Sequence, residues 1–275
     1  MMNDDGGIDQ RSRMRGGKWF AIIAPIAVFG LVACAWHISV IAFRIPPVIL
    51  PKPNDVLVAM WNQKTELLRA SWVTLQASLL GLMASVIVGS LVAILFSQSR
   101  WVRTAFYPYV IFLQTVPIVA IAPLLIIWSG TGLRTVVLVS CIISIFPIIS
   151  NVTSGLLSVD QNHLDLFRMQ DASRWQTLTK LRVPSAIPNL VLGLRVSCGL
   201  AVIGAIVGEL FVASSGAYEG LGMVMNAKQA NYKTAELMGT ILACTSLGIL
   251  LFVSIQFIGN VVLRRWTKDA GFEST

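Results

Sequence analysis

The sequence predicts an all-α integral membrane protein with six transmembrane helices, and three observations carry that prediction. Of 275 residues, 55% are hydrophobic and only 12% charged, with a mean hydropathy of +0.74, whereas soluble domains carry about a quarter charged residues. The charges leave five uncharged runs, at 19–43, 70–99, 104–133, 135–159 and 237–263. Each exceeds the roughly 20 helical residues that cross about 30 Å of hydrocarbon. A sixth apolar region, 183–218, is interrupted only by Arg195 and Glu209. Lipid cannot satisfy exposed backbone groups, and barrel strands would be short and alternating, so these runs are helices.

Residues 1–18 are polar and Gly-rich, which predicts a disordered tail ahead of the first span at 19–43. That span contains Pro25 and His37 and has no small-residue cleavage pattern, so it is retained rather than removed as a signal peptide. His37 is assigned to a local polar contact or an interface. The segment 44–69 holds Pro46, Pro47, Pro51 and Pro53, then a polar stretch around Trp61. It predicts extended chain followed by a short surface helix, capped by Asn54 or Asp55.

Residues 70–265 form the five-helix core, and 266–275 a second tail. The second span runs from about Ala70 to Ser97. In the third, Pro108, Pro117 and Pro123 predict bends or a broken helix. The fourth span, about 135–157, places Ser140, Ser144 and Asn151 on one helical face. That face serves either hydrogen bonding between helices or a wet translocation surface. In the fifth, Gly204 and Gly208 permit close helix contact, for dimerisation or for packing between the third and fifth spans. Gly216, Gly220 and Gly222 beyond them suggest an irregular outer loop. Cys34, Cys141, Cys198 and Cys244 lack metal-ligand spacing and are assigned as small buried hydrophobes.

With the N-terminus in the cytoplasm, thirteen Lys and Arg residues fall inside and seven outside, Arg195 being assigned to the membrane. This bias places both termini in the cytoplasm. The net charge of +8 is accounted for by anionic lipid, with no need of nucleic acid.

The segment 158–184 is the most informative. Asp160 caps a short helix, with Val159 and Leu164 as a hydrophobic staple. Leu164, Leu166, Phe167 and Met169 give that helix an apolar side. Ser173 starts a second helix and Gln176, three residues on, completes a capping box. Pro184 and Pro188 then end or redirect the chain. Two short helices meeting around Asp171, Ala172 and Ser173 make a compact knob tied to the spans on either side. Phe167 is either an anchor in a partner's groove or packed against Trp175 within the knob. No Gly-x-x-x-x-Gly-Lys-Ser/Thr loop occurs, and the 13 carboxylates are scattered mostly at span ends. The chain therefore has no nucleotide or magnesium site and is not an enzyme.

These residues resemble the permeases of ATP-binding-cassette importers, in particular the branch handling nitrate, bicarbonate, taurine and alkanesulfonates. In that family's cytoplasmic signature Asp165 stands at a Glu position, Leu166 and Phe167 at two Ala positions, Asp171 at a Gly position, and Val183 with Pro184 at a Leu-Pro pair. Ala172-Ser173-Arg174-Trp175-Gln176, Pro184-Ser185-Ala186-Ile187-Pro188 and Gly193-Leu194-Arg195 are similar to that branch. So are Gln114-Thr115-Val116-Pro117, Gly130 with Gly132, and Gly208-Glu209-Leu210 with Gly220-Leu221-Gly222.

The resemblance implies the six-span architecture of type I importers in the bacterial inner membrane, working as a pair with a second copy or paralogue. The knob would be a coupling helix gripped by two cytoplasmic ATP-binding subunits, which would carry the ATP and magnesium, while this chain binds no cofactor. A periplasmic or lipoprotein solute-binding protein would deliver solute to the outer face. The solute would be a small anion, or a pyrimidine or vitamin precursor as in some relatives. Gln114, Thr115, Ser140 and Ser144 are candidate pathway residues, and Arg195 and Glu209 candidate gate residues. A freestanding secondary transporter or channel is the competing class, disfavoured because no half-to-half repeat is visible and the knob would have no partner.

Overall fold

The computed structural model describes residues 7–212 and 219–269, and among these only helices and connecting turns occur. In chain order they are α1 (Gly7–Ala42), α2 (Pro53–Asn62), α3 (Lys64–Gln98), α4 (Arg100–Thr115), α5 (Ile118–Ser129), α6 (Leu133–Leu157), α7 (Gln161–Met169), α8 (Arg174–Thr177), a π-helical turn (Leu178–Arg182), α9 (Val183–Val212), α10 (Leu221–Ala230) and α11 (Thr234–Asp269). Five segments are long and apolar enough to cross a membrane: Ile23–Ala42, α3, α6, the rod Arg174–Val212 and Thr234–Arg264. The pair α4–α5 is bent by 98°, as a broken span or a re-entrant loop, and brings the number of spans to six when it is counted as one.

Several local expectations change. The first helix begins at Gly7 instead of Trp19, so the part of the expected disordered tail that is described is helical. Once an apolar helix is nucleated, Arg, Met, Gln and Lys extend it at little cost. Residues 1–6, Gly216 and the end of the second tail at 270–275 lie outside the described residues. The short surface helix is capped by neither Asn54 nor Asp55. Lys52 occupies the cap position without a side-chain bond, Pro53 opens the first turn, and Asp55 sits within that turn, where its charge suits the helix dipole. The second span starts at Lys64, so its first turn reaches back into the expected external segment.

Of the three prolines in the third span only Pro117 breaks the chain. Pro108 lies inside α4 and Pro123 inside α5, where neighbouring structure tolerates the lost backbone bond. Gly130 and Gly132, at φ +81° and +149°, make the turn from α5 into α6, a conformation that side chains disfavour.

The core is the triple contact of α3, α6 and α9, with α2, α10 and α11 packed around it. The antiparallel α6–α9 seam is set by small residues. A Cβ on Gly204 would lie 2.7 Å from Ser140 Cα, and one on Gly208 3.0 Å from Val136 Cα. This small-residue face is therefore spent inside the chain, against the fourth span, and not against the third span or a second copy. On the other flank of Ser140, a Cβ on Gly81 of α3 would fall 2.2 Å from its hydroxyl. Three backbones converge there because two of them carry no side chain.

The outer layer is apolar and open. Phe29 and Leu31 of α1 are 77% and 70% exposed, and Trp101 at the start of α4 is 88% exposed. Continuous apolar surface of this extent requires lipid or another protein chain. Cys34 shares that outward face, so only Cys198 is fully buried among the four free cysteines. The expectation of four buried thiols fails at Cys34 because α1 stands outside the core, while Cys141 of α6 and Cys244 of α11 are partly buried.

Candidate functional site

The knob forms as the local signals dictate. The Asp160 side chain accepts from Asn162 N at 2.9 Å, and Val159 is buried beneath it. Ser173 and Gln176 form a reciprocal capping box, with Gln176 N to Ser173 Oγ at 3.2 Å and Ser173 N to Gln176 Oε1 at 2.8 Å. Between the helices Asp171 takes φ +49°. Ala172 N donates to Phe167 O and Asp171 N to Arg168 O, at 3.0 and 3.1 Å, which closes α7 with a Schellman motif. Asp165 is committed to Arg168 at 2.9 Å on the surface.

The face this knob presents is apolar: Leu166, Met169 and Trp175 are 50%, 83% and 71% exposed, whereas Phe167 is half-buried. Met169, which the sequence places only on an apolar side, is the most open of the four. Ala172, Arg168, Arg174 and Arg182 line a cleft of about 390 Å³ between the knob and the end of α3.

Pro184 and Pro188 do not end or redirect the chain. Helix runs unbroken from Arg174 to Val212: a π-turn, with Val183 N donating five residues back to Leu178 O, leads into Pro184, and Pro188 lies inside α9, tolerated there as Pro108 and Pro123 are in their helices. The knob is thus the foot of a rod about 59 Å long, at 1.5 Å per residue over its 39 residues. Arg182 locks the foot by donating to Ser97 O, at the end of α3, at 2.7 Å.

Near the far end of the rod lies Glu209. It is 1% exposed, so its carboxyl group is enclosed within the chain. Its Oε2 accepts from Thr74 Oγ1 of α3 at 3.0 Å and from Gly222 N at 2.8 Å. Thr74 Oγ1 in turn accepts from Leu221 N at 2.9 Å. Leu221 and Gly222 are the first residues of α10, whose cap Gly220 offers no side chain. Two of the free N–H groups at that terminus are therefore satisfied from other spans, and the carboxylate sits at the positive end of the helix. A Cβ on Gly220 would fall 2.1 Å from Glu209 Oε1, and one on Gly222 2.8 Å from Glu209 Cβ. The Gly-Leu-Gly sequence leaves room for the carboxylate.

The other end of α10 is held by charge. Lys228 Nζ, with its side chain 14% exposed, lies 2.9 Å from Glu66 Oε2 of α3 and 3.0 Å from Glu236 Oε2 of α11. Burial lowers the Lys228 ammonium, but the hydrogen bonds and charges of Glu66 and Glu236 outweigh it and hold the group above its ordinary 10.5.

The remaining candidates are dispersed. Ser140 and Ser144 are fully buried: Ser140 Oγ donates to Ala201 O at 2.8 Å, and Ser197 Oγ returns a bond to Ser144 O at 2.7 Å. Ser140 Oγ and the Ser144 carbonyl thus bond α6 to α9, while the Ser144 hydroxyl donates to Ser140 O within α6 at 2.7 Å. Gln114 and Thr115 are exposed at the end of α4, with Thr115 Oγ1 bonded to Phe112 O at 2.8 Å. Arg195 donates to Asn260 Oδ1 of α11 at 2.8 Å. No signal in the sequence marks Thr74, Lys228 or Asn260, because their partners lie on other spans.

Comparison with known proteins accords with this architecture. Residues 85–268 match the family described as "Binding-protein-dependent transport system inner membrane component". A probable ABC transporter permease protein of Haemophilus influenzae is 31% identical over 86% of this chain and 95% of its own. The formylaminopyrimidine transport permease protein of Halalkalibacterium halodurans is 31% identical over 90% of this chain and 98% of its own. A putative aliphatic sulfonates transport permease protein of Bacillus subtilis is 27% identical over 84% and 82%. In fold, the chain is similar to a structure of the inward-facing MetNI methionine ABC transporter, with a TM-score of 0.62 and 21% identity over 75% of this chain and 98% of that one. A multi-pass helical chain with a capped knob and this family match is a permease subunit of ATP-binding-cassette importers: it belongs to the binding-protein-dependent transport system inner membrane component family, whose ATPase is a separate subunit.

Proposed function

We propose that two copies of this chain, or one copy and a paralogue, form the membrane pathway of an importer, with segment 158–184 and both termini in the cytoplasm. The knob docks in a groove on each of two ATPase subunits, which hold the ATP and magnesium. A solute-binding protein delivers cargo at the α10 end. Alternating access follows from tilting of the Arg174–Val212 rod, since its foot is the knob and its far end carries Glu209 and, through it, α10. The observation that supports this reading is the unbroken helix between an exposed apolar foot and a buried carboxylate. Asp165, Leu166, Phe167, Asp171, Ala172, Ser173, Arg174, Trp175 and Pro184 form or position the docking surface. Met169 and Trp175 are its principal apolar anchors, since aromatic and flexible apolar groups exclude water efficiently at interfaces.

The solute is a small organic anion such as a sulfonate, consistent with the sulfonate permease among the relatives. A pyrimidine precursor is the second reading, favoured by the higher identity to the formylaminopyrimidine permease. The test is co-purification of the cognate ATPase with wild-type permease and with Trp175→Ala and Met169→Ala at matched membrane insertion. Loss of association in the variants is expected, and undiminished association overturns the docking role. Competition of uptake by taurine against a formylaminopyrimidine separates the two solutes.

A further inference from the structure

A second polar feature lies away from the knob and the Glu209 cluster. α4 and α6 face one another across a cleft of about 530 Å³. Arg103, Thr104 and Tyr107 come from α4, and Ser150, Thr153 and Ser154 from α6. Positions 103, 104 and 107 share one helical face, as do 150, 153 and 154. Five hydroxyl-bearing residues and one arginine from two membrane helices thus line the same space, while Trp101, Phe106 and Tyr109 are 88%, 57% and 70% exposed.

The hydroxyls do not saturate one another. Tyr107 Oη and Ser150 Oγ are 3.5 Å apart, at the outer limit of a hydrogen bond. Thr153 is 4% exposed, and its hydroxyl has no hydrogen-bond partner in the protein. Helical threonines ordinarily return that hydroxyl to a backbone carbonyl. An unsatisfied buried hydroxyl destabilises the fold unless something supplies the missing bond. The Tyr107 ring is fixed edge-on against Phe96, with centroids 6.1 Å apart, so the pocket wall is preorganised. The lining has one positive group and no carboxylate, and Pro108 and Leu157 give it an apolar wall. Donors converging on a site that excludes acidic groups suit an anion with several acceptor oxygens.

We infer that the α4–α6 cleft is a binding site for an oxyanion carrying a small apolar body, held by the Arg103 guanidinium and by the hydroxyls of Thr153, Ser154 and Tyr107. A transported sulfonate and a phospholipid head group share this chemistry. Only the first source rests on the proposed import function, because the cleft is complete within one chain.

The experiment uses the full-length permease in nanodiscs of phosphatidylcholine alone, with ethanesulfonate as the probe and tyrosine and tryptophan fluorescence as the readout. Saturable binding is expected, weakened at least tenfold by Arg103→Gln and by Thr153→Val and retained by Thr153→Ser, which keeps the hydroxyl. A parallel arm titrates phosphatidylglycerol into the discs. If that lipid saturates the same signal and ethanesulfonate does not, the oxyanion site stands with lipid as its source. If neither ligand binds, or if binding is indifferent to Arg103→Gln and Thr153→Val while Thr153→Ser is folded, the inference is overturned. Co-purification of the ATPase is unaffected by either result, so failure of this site and failure of the import reading are separable.

Discussion

Replacing Glu209 by alanine removes the acceptor that joins α9, α3 and α10. Two hydrogen bonds end on Glu209 Oε2, at 3.0 Å from Thr74 and 2.8 Å from Gly222. Hydrogen bonds to charged groups contribute about 1.5–3 kcal/mol each, so the pair amounts to roughly 3–6 kcal/mol. At about 2 °C per kcal/mol for a chain of this size, the apparent Tm falls by about 6–12 °C. The assay is thermal unfolding of the detergent-purified permease, with wild type and variant at one scan rate because membrane proteins of this kind unfold irreversibly. Glu209→Gln keeps the shape and one acceptor oxygen but loses the charge. It is expected to show about half the shift, since charge-assisted bonds are roughly twice as strong as neutral ones. Thr74→Val removes the hydroxyl that links Glu209 to Leu221, and its effect should be less than additive with Glu209→Ala because the two share one network. An apparent Tm for Glu209→Ala within about 2 °C of wild type would refute the joining of α9, α3 and α10 through Glu209, since that allows no more than about 1 kcal/mol for both bonds.

Two further outcomes follow from single positions. Asp171→Gly should stabilise the permease by about 1 kcal/mol, because φ +49° burdens any side chain; a lower Tm for that variant would contradict the closing motif of α7. The Lys228 ammonium is held above 10.5 by Glu66 and Glu236. Its folded-state value is raised, so its contribution to stability is complete below the ordinary lysine value and fades as pH rises through the folded one. Tm measured upward from about pH 9 should fall more steeply for wild type than for Lys228→Met; parallel profiles would discount the ion pairs.

The parts of the knob legible in the sequence are those whose partners lie within a few residues. Asp160 caps its own helix, Ser173 and Gln176 cap each other, and Asp171 adopts the conformation expected of a Gly position. The prolines divide the same way. Pro117 separates two short helices, but Pro184 follows a π-turn that is invisible in composition, and Pro188 lies inside the continuous α9.

The sequence by itself determined the membrane class, the number of spans and the capped knob, since hydration of charge and local hydrogen bonding act without knowledge of the fold. Only the tertiary structure decided what Glu209 does, as its partner Thr74 is 135 residues away and no periodicity links them. It likewise directed Ser140, Gly204 and Gly208 to the α6–α9 seam and gathered six polar groups between α4 and α6. A polar residue in a span must find a partner or a ligand. Hydropathy shows that the need exists, and the packing of distant helices chooses how it is met.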